Sequence, residues 1–228
     1  MRWWIVVLAL QGMLASAARA GDSPVVVELF TSQGCSSCPP ADAFLTDLAR
    51  QRQDVLALAF HVTYWNYLGW RDPFSFDAAT ARQRDYARLL GEDEIYTPEM
   101  VVDGGTAFVG SNRDDGLRAI GHAVPKSVPV SIRGGGRQLT ITVGSGAGQG
   151  RILLIGYDPS HRTPVGRGEN GGQTLVESNI VRSLTPIGSW AGTAMKLTAP
   201  IPEGDQFAAL IQAPNGRIIG AARLPPGP

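Results

Sequence analysis

The sequence has 228 residues, which is enough for one large domain or two small ones. Hydrophobic residues make up 43% and charged residues 18%, so the chain has the material for a buried core and does not have the composition of a disordered protein. Twenty basic residues balance twenty acidic ones, and the lysines and arginines form no cluster. Nucleic-acid binding requires a clustered basic surface, so we expect no nucleic-acid partner.

The first twenty residues have the features of a secretory signal peptide. Arg2 gives a positively charged start, residues 5–15 are apolar apart from one glutamine, and Ala18-Arg19-Ala20 matches the small-residue cleavage pattern. The apolar run is too short to cross a bilayer core of about 30 Å. We therefore predict cleavage after Ala20, a periplasmic or secreted mature protein, and no membrane anchor after cleavage.

Residues 22–124 alternate between strand and helix patterns. The predicted strands are 25–30, 55–62, 100–103 and 107–109, and the predicted helices are one from about residue 39 and two at 77–90 and 114–123. The strand–helix–strand start predicts a parallel βαβ unit, and a Gly-Gly hairpin between the last two strands makes the sheet mixed. This order of elements resembles that of thioredoxin, so we expect an α/β thioredoxin-like domain with helices flanking the sheet.

Beyond a linker at 124–127 the chain consists of short apolar runs between glycine and proline turns. The predicted strands are 128–132, 138–143, 151–157, 173–184, 194–197, 206–212 and 217–221. Several strands at this spacing, without a helix between them, are typical of an antiparallel sandwich. We therefore expect residues 125–228 to form a separate, all-β sandwich-like domain.

Cys35 and Cys38 are the only cysteines, and they directly follow the first predicted strand. A disulfide between such close residues closes almost no loop, so it stabilises the fold little. A helix start lowers the pKa of a neighbouring thiol, and the spacing lets a second thiol resolve a mixed disulfide. We interpret Cys35 as the nucleophile and Cys38 as the resolving thiol, with an inert disulfide as the alternative. Because Pro39 and Pro40 follow, the helix either begins near Cys38 or kinks there.

The resemblance to thioredoxins implies roles for three further residues. Pro98 precedes a predicted strand at the point where thioredoxin-like proteins hold a cis proline facing the CxxC, and Thr97 before it is a candidate for substrate binding. Glu28 is an acid inside a buried strand, where thioredoxins place a carboxylate that accepts the proton of the resolving cysteine. The alternative for Glu28 is a side chain that reaches solvent or pairs with an arginine.

Two tryptophans and a histidine complete the candidate residues. Trp65 and Trp70 lie in an aromatic loop after the second strand, which either contacts substrate or caps the sheet. His61 ends the second strand at the same sheet edge as the CxxC, so an alternative prediction is a copper or zinc site formed by His61 with Cys35 and Cys38. A core histidine with one hydrogen bond is the simpler interpretation.

Four longer motifs resemble a known family. VELFTSQGCSSCPPAD, HVTYWNYLGWRDPF, YTPEMVVDG and RGENGGQTLVESNIVRSL are similar to the exported bacterial proteins grouped as domain of unknown function 1223. The resemblance covers nearly all of the mature chain. It implies a thioredoxin-like domain followed by a β-rich domain, and it implies no particular reaction.

Three functions are compatible with these patterns. The first is an exported thiol–disulfide oxidoreductase that acts on protein thiols or disulfides, or on another redox partner, with its own Cys35–Cys38 disulfide and no other cofactor. The second is a copper- or zinc-binding or delivery protein. The third is a non-catalytic binding module in which the β-rich domain recognises a partner.

Overall fold

The computed structural model describes residues 23–225 of the chain. The predicted signal peptide at 1–20 lies outside the described residues. Within them, no helix is both long enough and apolar enough to cross a membrane.

The N-terminal half alternates strands and helices in the order that the sequence predicts. Its elements are β1 (Val25–Thr31), α1 (Pro39–Gln51), β2 (Val55–His61), a 3₁₀ turn (Asn66–Leu68), α2 (Asp77–Leu90), β3 (Glu99–Val102), β4 (Thr106–Val109) and α3 (Arg113–Gly121). β1 and β2 pair in parallel, whereas β3 pairs in antiparallel fashion with both β1 and β4. The predicted mixed sheet is therefore confirmed.

β1 is buried on both faces of the sheet, which explains its nearly uninterrupted apolar sequence. One core cluster contains Val27 together with apolar side chains of α1. A second cluster, on the other face, contains Phe30 together with side chains of α2. Because successive side chains of a strand point to opposite faces, Glu28 lies on the α2 face and Thr31 on the α1 face.

The C-terminal half consists of strands, and each overlaps a strand that the sequence predicts. They are β5 (Val130–Gly135), β6 (Gln138–Val143), β7 (Gly150–Pro164), β8 (Thr174–Trp190), β9 (Met195–Pro200), β10 (Gln206–Gln212) and β11 (Ile218–Arg223). β7 and β8 are much longer than a typical strand, with 15 and 17 residues. They form one extended antiparallel hairpin.

These strands do not form the separate sandwich-like domain expected for residues 125–228. Four of them continue the N-terminal sheet, which has eight strands in the order β11-β10-β7-β8-β2-β1-β3-β4. β8 pairs in parallel with β2 through Ala59 and Ile180, so it covers the sheet edge that β2 would otherwise expose. β5, β6 and β9 form a second, three-stranded sheet that packs on the C-terminal strands through residues such as Ile141 and Ile152. The expectation of a separate sandwich was wrong because the long β7–β8 hairpin reaches the N-terminal sheet.

Candidate active site

A disulfide joins Cys35 and Cys38 between the end of β1 and the start of α1. Cys38 is the N-cap residue of α1, and Pro39 and Pro40 are its first two helical residues, so of the two alternatives left open by the sequence the helix begins near Cys38. Prolines have no N–H group, and the N–H groups of the next two residues donate to the Cys38 carbonyl. The helix start therefore offers no free main-chain donor to a thiolate, which weakens the activation expected for Cys35.

Both cysteines are completely buried, although Ser36 and Ser37 between them are exposed. Residues 32–38, between β1 and α1, form the CxxC loop. Residues 166–172, which lie between β7 and β8, contact this loop, and we call them the strap. Asn170 of the strap donates from Nδ2 to the carbonyl oxygens of Gln33, at 3.0 Å, and Cys35, at 2.9 Å. The C-terminal half of the chain thus contributes directly to the surroundings of the disulfide.

The tryptophans, Thr97 and Pro98 lie around the same loop. The Thr97–Pro98 peptide bond is cis, as predicted. A Cβ atom built at Gly110 would lie 3.3 Å from the Cβ atoms of both Pro98 and Ala41, so Pro98 is close to the first turn of α1. Trp65 donates from Nε1 to Thr97 Oγ1 at 2.7 Å.

Trp70 serves a different purpose, because it links the strap to the CxxC loop. Its Nε1 donates to Gln33 Oε1 at 3.1 Å. Cβ atoms built at Gly166 and Gly168 would lie 3.3 Å and 3.2 Å from Trp70 atoms, so the ring supports the strap. Both tryptophans are partly exposed, and their hydrogen bonds are to residues of this protein.

Glu28 has the arginine partner that the sequence left open as an alternative. Its buried carboxylate forms an ion pair with Arg82 of α2, in which Arg82 Nε donates to one oxygen and Nη2 donates to the other. Tyr86 donates from its hydroxyl to Glu28 Oε1 at 2.7 Å. All these contacts lie on the α2 face of the sheet, away from α1, so the structure gives no support to Glu28 as the proton acceptor for Cys38.

A different buried acid, Asp42, lies in the first turn of α1, on the α1 face of the sheet. It follows Cys38 by four residues, which places both on the same side of α1. Its N–H donates to the Cys38 carbonyl at 3.1 Å, and its Oδ1 accepts a hydrogen bond of 2.8 Å from Thr31. Burial, reinforced by the negative charge of Glu177, raises the pKa of Asp42 to about 8. Its environment therefore favours the protonated form of this carboxyl group.

His61 lies next to Thr31 in the β1–β2 register, and its ring contacts carboxylates. Nδ1 is 2.7 Å from Asp72 Oδ2, and Nε2 is 3.7 Å from Glu177 Oε1. Burial alone would lower the pKa of His61, but the negative charges of Asp72 and Glu177 outweigh it and raise the pKa to about 9. The imidazolium in turn outweighs burial at Asp72 and lowers the pKa of that acid. His61 and Asp72 thus form a buried ion pair.

Glu177 of β8 brings the C-terminal half into this cluster. Its side chain is 2% exposed, and burial raises its pKa. Glu177 Oε2 accepts a hydrogen bond of 2.7 Å from Gln33 Nε2, whereas Oε1 has no hydrogen-bond partner among residues 23–225. Gln33 also donates from its main-chain N–H to Asp72 at 2.8 Å, so the residue two positions before Cys35 connects the CxxC loop to the cluster.

The sequence singled out neither Asp42 nor Glu177. Asp42 had a detectable signal, since it is an acid in the first turn after a double proline, but such acids are usually exposed. Glu177 gives no local signal, because it reaches the site only through the pairing of β8 with β2. The structure also gives no support to the alternative of a copper or zinc site. Among residues 23–225, no group of three or more His, Cys, Asp or Glu side chains is arranged to hold a metal ion.

Comparison with known proteins places the chain in a family. The family model described as a protein of unknown function, DUF1223, matches residues 26–212. The chain belongs to this family. No curated protein matches the sequence.

Two solved structures resemble this one. Protein AGR_C_4864 from Agrobacterium tumefaciens shares 32% identity, with a TM-score of 0.74 over 88% of this chain and 93% of that chain. HBP35 of Porphyromonas gingivalis shares 14% identity, with a TM-score of 0.64 over 89% of this chain and 74% of that chain, so this likeness concerns the fold alone. The DUF1223 match includes the CxxC, the strap and most of the eight-stranded sheet, which is consistent with a site built from both halves of the chain.

Proposed function

We propose that this protein is an exported thiol–disulfide oxidoreductase that exchanges its Cys35–Cys38 disulfide with protein thiols or disulfides. The observation that carries the proposal is the position of this disulfide at the start of α1, with the buried carboxyl group of Asp42 on the same side of the helix. A disulfide between residues this close in sequence contributes little to the stability of the fold, so a role in thiol–disulfide exchange explains its presence better than a stabilising role. We include in the proposal that elements β1–β4 and α1–α3 form a thioredoxin-like unit, and that the protein acts in the periplasm or outside the cell.

The reaction needs no cofactor besides the disulfide. A substrate thiolate attacks Cys35 Sγ, a bond forms between the two sulfur atoms, and the Cys35–Cys38 bond breaks with its electron pair on Cys38 Sγ. The Asp42 carboxyl group donates its proton to this thiolate. A second substrate thiolate then attacks the substrate sulfur of the mixed disulfide and releases Cys35 as a thiolate, so the substrate dithiol is oxidised and the CxxC is reduced.

In the reverse direction Asp42 acts as a general base. The Cys35 thiolate attacks a substrate disulfide, and the ionised Asp42 removes the proton of Cys38 so that its thiolate displaces the substrate from Cys35. The elevated pKa of Asp42, about 8, is close to that of a thiol and suits a proton that moves between the two groups. Pro98 lies beside the first turn of α1, and Thr97 precedes it, where a peptide substrate would approach the CxxC.

Three measurements on the mature protein test the proposal. We expect folded protein to be reduced reversibly at Cys35–Cys38 in a dithiothreitol or glutathione buffer, to give a defined reduction potential, and to catalyse disulfide reduction in insulin. Cys35→Ser and Cys38→Ser should abolish catalysis, whereas Ser36→Ala, a change at an exposed position inside the motif, should retain it. If the pair resists reduction until the protein unfolds, the proposal is wrong.

The complete burial of both cysteines favours one competing function, a non-catalytic binding module with an inert disulfide. The same measurements separate the two functions. A binding module would show no insulin reduction, and its Cys35→Ser variant would keep every partner that the wild-type protein binds.

A further inference from the structure

The strap makes three polar contacts with the main chain of the CxxC loop. Two come from Asn170, which is 1% exposed and donates to the carbonyls of Gln33 and Cys35. The third comes from Glu169, whose Oε2 accepts a hydrogen bond of 2.9 Å from the N–H of Ser36. The strap therefore contacts the main chain before Cys35, at Cys35 itself and directly after it.

The contact with Ser36 places the negative charge of Glu169 at an N–H group that could otherwise donate a hydrogen bond to a Cys35 thiolate. As the start of α1 has no free N–H group, the N–H of Ser36 is one of the few main-chain donors next to Cys35. In the oxidised protein the carboxylate of Glu169 occupies it. Hydrogen bonding to Ser36, first to its side chain and then to its N–H, lowers the pKa of Glu169. A carboxylate at this position repels a thiolate on Cys35 and withholds the donor from it.

The strap is a compact segment with hydrogen bonds of its own. It is the tip of the long β7–β8 hairpin, and its own turns are closed by internal hydrogen bonds, such as Gly171 N to Gly168 O at 3.0 Å. Gly168 and Gly172 have φ angles of +78° and +84°, which glycine adopts without strain. Besides the contacts of Asn170 and Glu169, the support of Trp70 holds it against the CxxC loop.

We propose that Glu169 and Asn170 are positioning residues of the redox pair: Asn170 latches the strap over the oxidised disulfide, and Glu169 disfavours the Cys35 thiolate. This inference rests on the proposed oxidoreductase function. Since both cysteines are fully buried, the Asn170 hydrogen bonds must break before a substrate thiolate attacks Cys35 Sγ. Attack then forms the mixed disulfide and leaves the electron pair on Cys38, and the proton comes from Asp42, as above.

The two residues have separable effects, which a pair of variants distinguishes. Glu169→Gln keeps an oxygen that can accept from Ser36 but removes the charge, so we expect the Cys35 pKa in the reduced protein to fall by about one unit. At a pH above the Cys35 pKa of both proteins, the thiol–disulfide equilibrium should shift about tenfold towards the reduced form, which raises the reduction potential by about 30 mV. Asn170→Ala removes both latching hydrogen bonds, so we expect reduction by tris(2-carboxyethyl)phosphine to accelerate at least tenfold.

The experiment measures, on the full mature protein, the pH profile of Cys35 alkylation by iodoacetamide, the reduction potential and the phosphine reduction rate. Asp114→Asn, which removes a charge from an exposed position on α3, is the matched control for Glu169→Gln and should leave all three unchanged. The inference is overturned if Glu169→Gln has the potential and alkylation profile of Asp114→Asn and if Asn170→Ala is reduced at the wild-type rate. Since Glu169 is exposed, its variant remains a test if Asn170→Ala fails to fold.

Failure of the proposed function gives a different pattern. If the wild-type protein neither reduces insulin nor oxidises a protein dithiol, but Asn170→Ala opens the disulfide to the phosphine, the strap acts as a latch and the enzymatic proposal falls. If the wild-type protein reduces insulin and neither strap variant differs from the control, the enzymatic proposal stands and the strap proposal falls.

Discussion

The buried ion pair between Glu28 and Arg82 allows the sharpest stability prediction. The two side chains are 0% and 4% exposed, and the guanidinium group also donates to Tyr86 Oη at 2.8 Å and to Gln212 Oε1 at 3.2 Å. Arg82→Leu removes these donors and leaves the Glu28 carboxylate with the hydroxyl of Tyr86 alone. Breaking a buried pair in this way costs about 3–5 kcal/mol. For a protein of this size we expect the melting temperature to fall by roughly 6–20 °C.

Urea denaturation followed by far-UV circular dichroism measures this cost. Glu28→Leu should be about as damaging as Arg82→Leu, whereas the double variant should lose much less than the sum, because it leaves no uncompensated buried charge. Arg52→Leu, which breaks an exposed pair with Asp54, is the control and should cost less than about 1 kcal/mol. Losses below about 1 kcal/mol for both single variants, or strictly additive losses, would refute the reasoning.

The same variants separate the two candidate proton acceptors. Because Glu28 lies on the α2 face, Glu28→Leu should leave the Cys35–Cys38 reduction potential unchanged when it is measured on folded protein. A shift as large as that of an Asp42 variant would return Glu28 to the role that its position on β1 suggested.

Two further predictions concern pH and backbone packing. The pKa of Asp42 is raised to about 8 in the folded state, so this group holds a proton in the native protein but not in the unfolded chain between about pH 4 and 8, and its contribution to stability falls as pH rises through this window. Asp42→Asn removes this loss, so its stability relative to wild type should be greater at pH 9 than at pH 4 in urea titrations. A difference in stability that does not change with pH would contradict a raised pKa of Asp42. Gly104→Ala should cost at least 2 kcal/mol by the same method, since its Cβ would lie 2.0 Å from the Gly216 carbonyl oxygen at a φ of +63°, whereas Gly121→Ala, with open space around it, should cost little.

Much of the N-terminal half could be predicted because its signals are local. Pro39 and Pro40 fix where α1 begins, and the apolar runs fix β1 and β2. The partner of Glu28 could not be predicted, because a strand sequence shows that an acid is buried but not which helix covers it. The positions of Glu177 and the strap could not be predicted either. Both lie about 140 residues from the CxxC in the sequence, and the pairing of β8 with β2, which no local pattern encodes, brings them to it.

This long-range pairing also decides whether the CxxC half is a self-sufficient domain. A chain ending at residue 124 would expose the edge of β2 and remove Gln212 from Arg82 and Glu177 from Gln33. It would also uncover the α2-face core, which takes several of its apolar side chains from β7, β8 and β10. We therefore expect residues 21–124 alone to lack a cooperative unfolding transition, whereas the full mature chain unfolds cooperatively. A fragment with a sharp transition and the reduction potential of the full protein would show instead that the C-terminal half is an accessory to a complete redox domain.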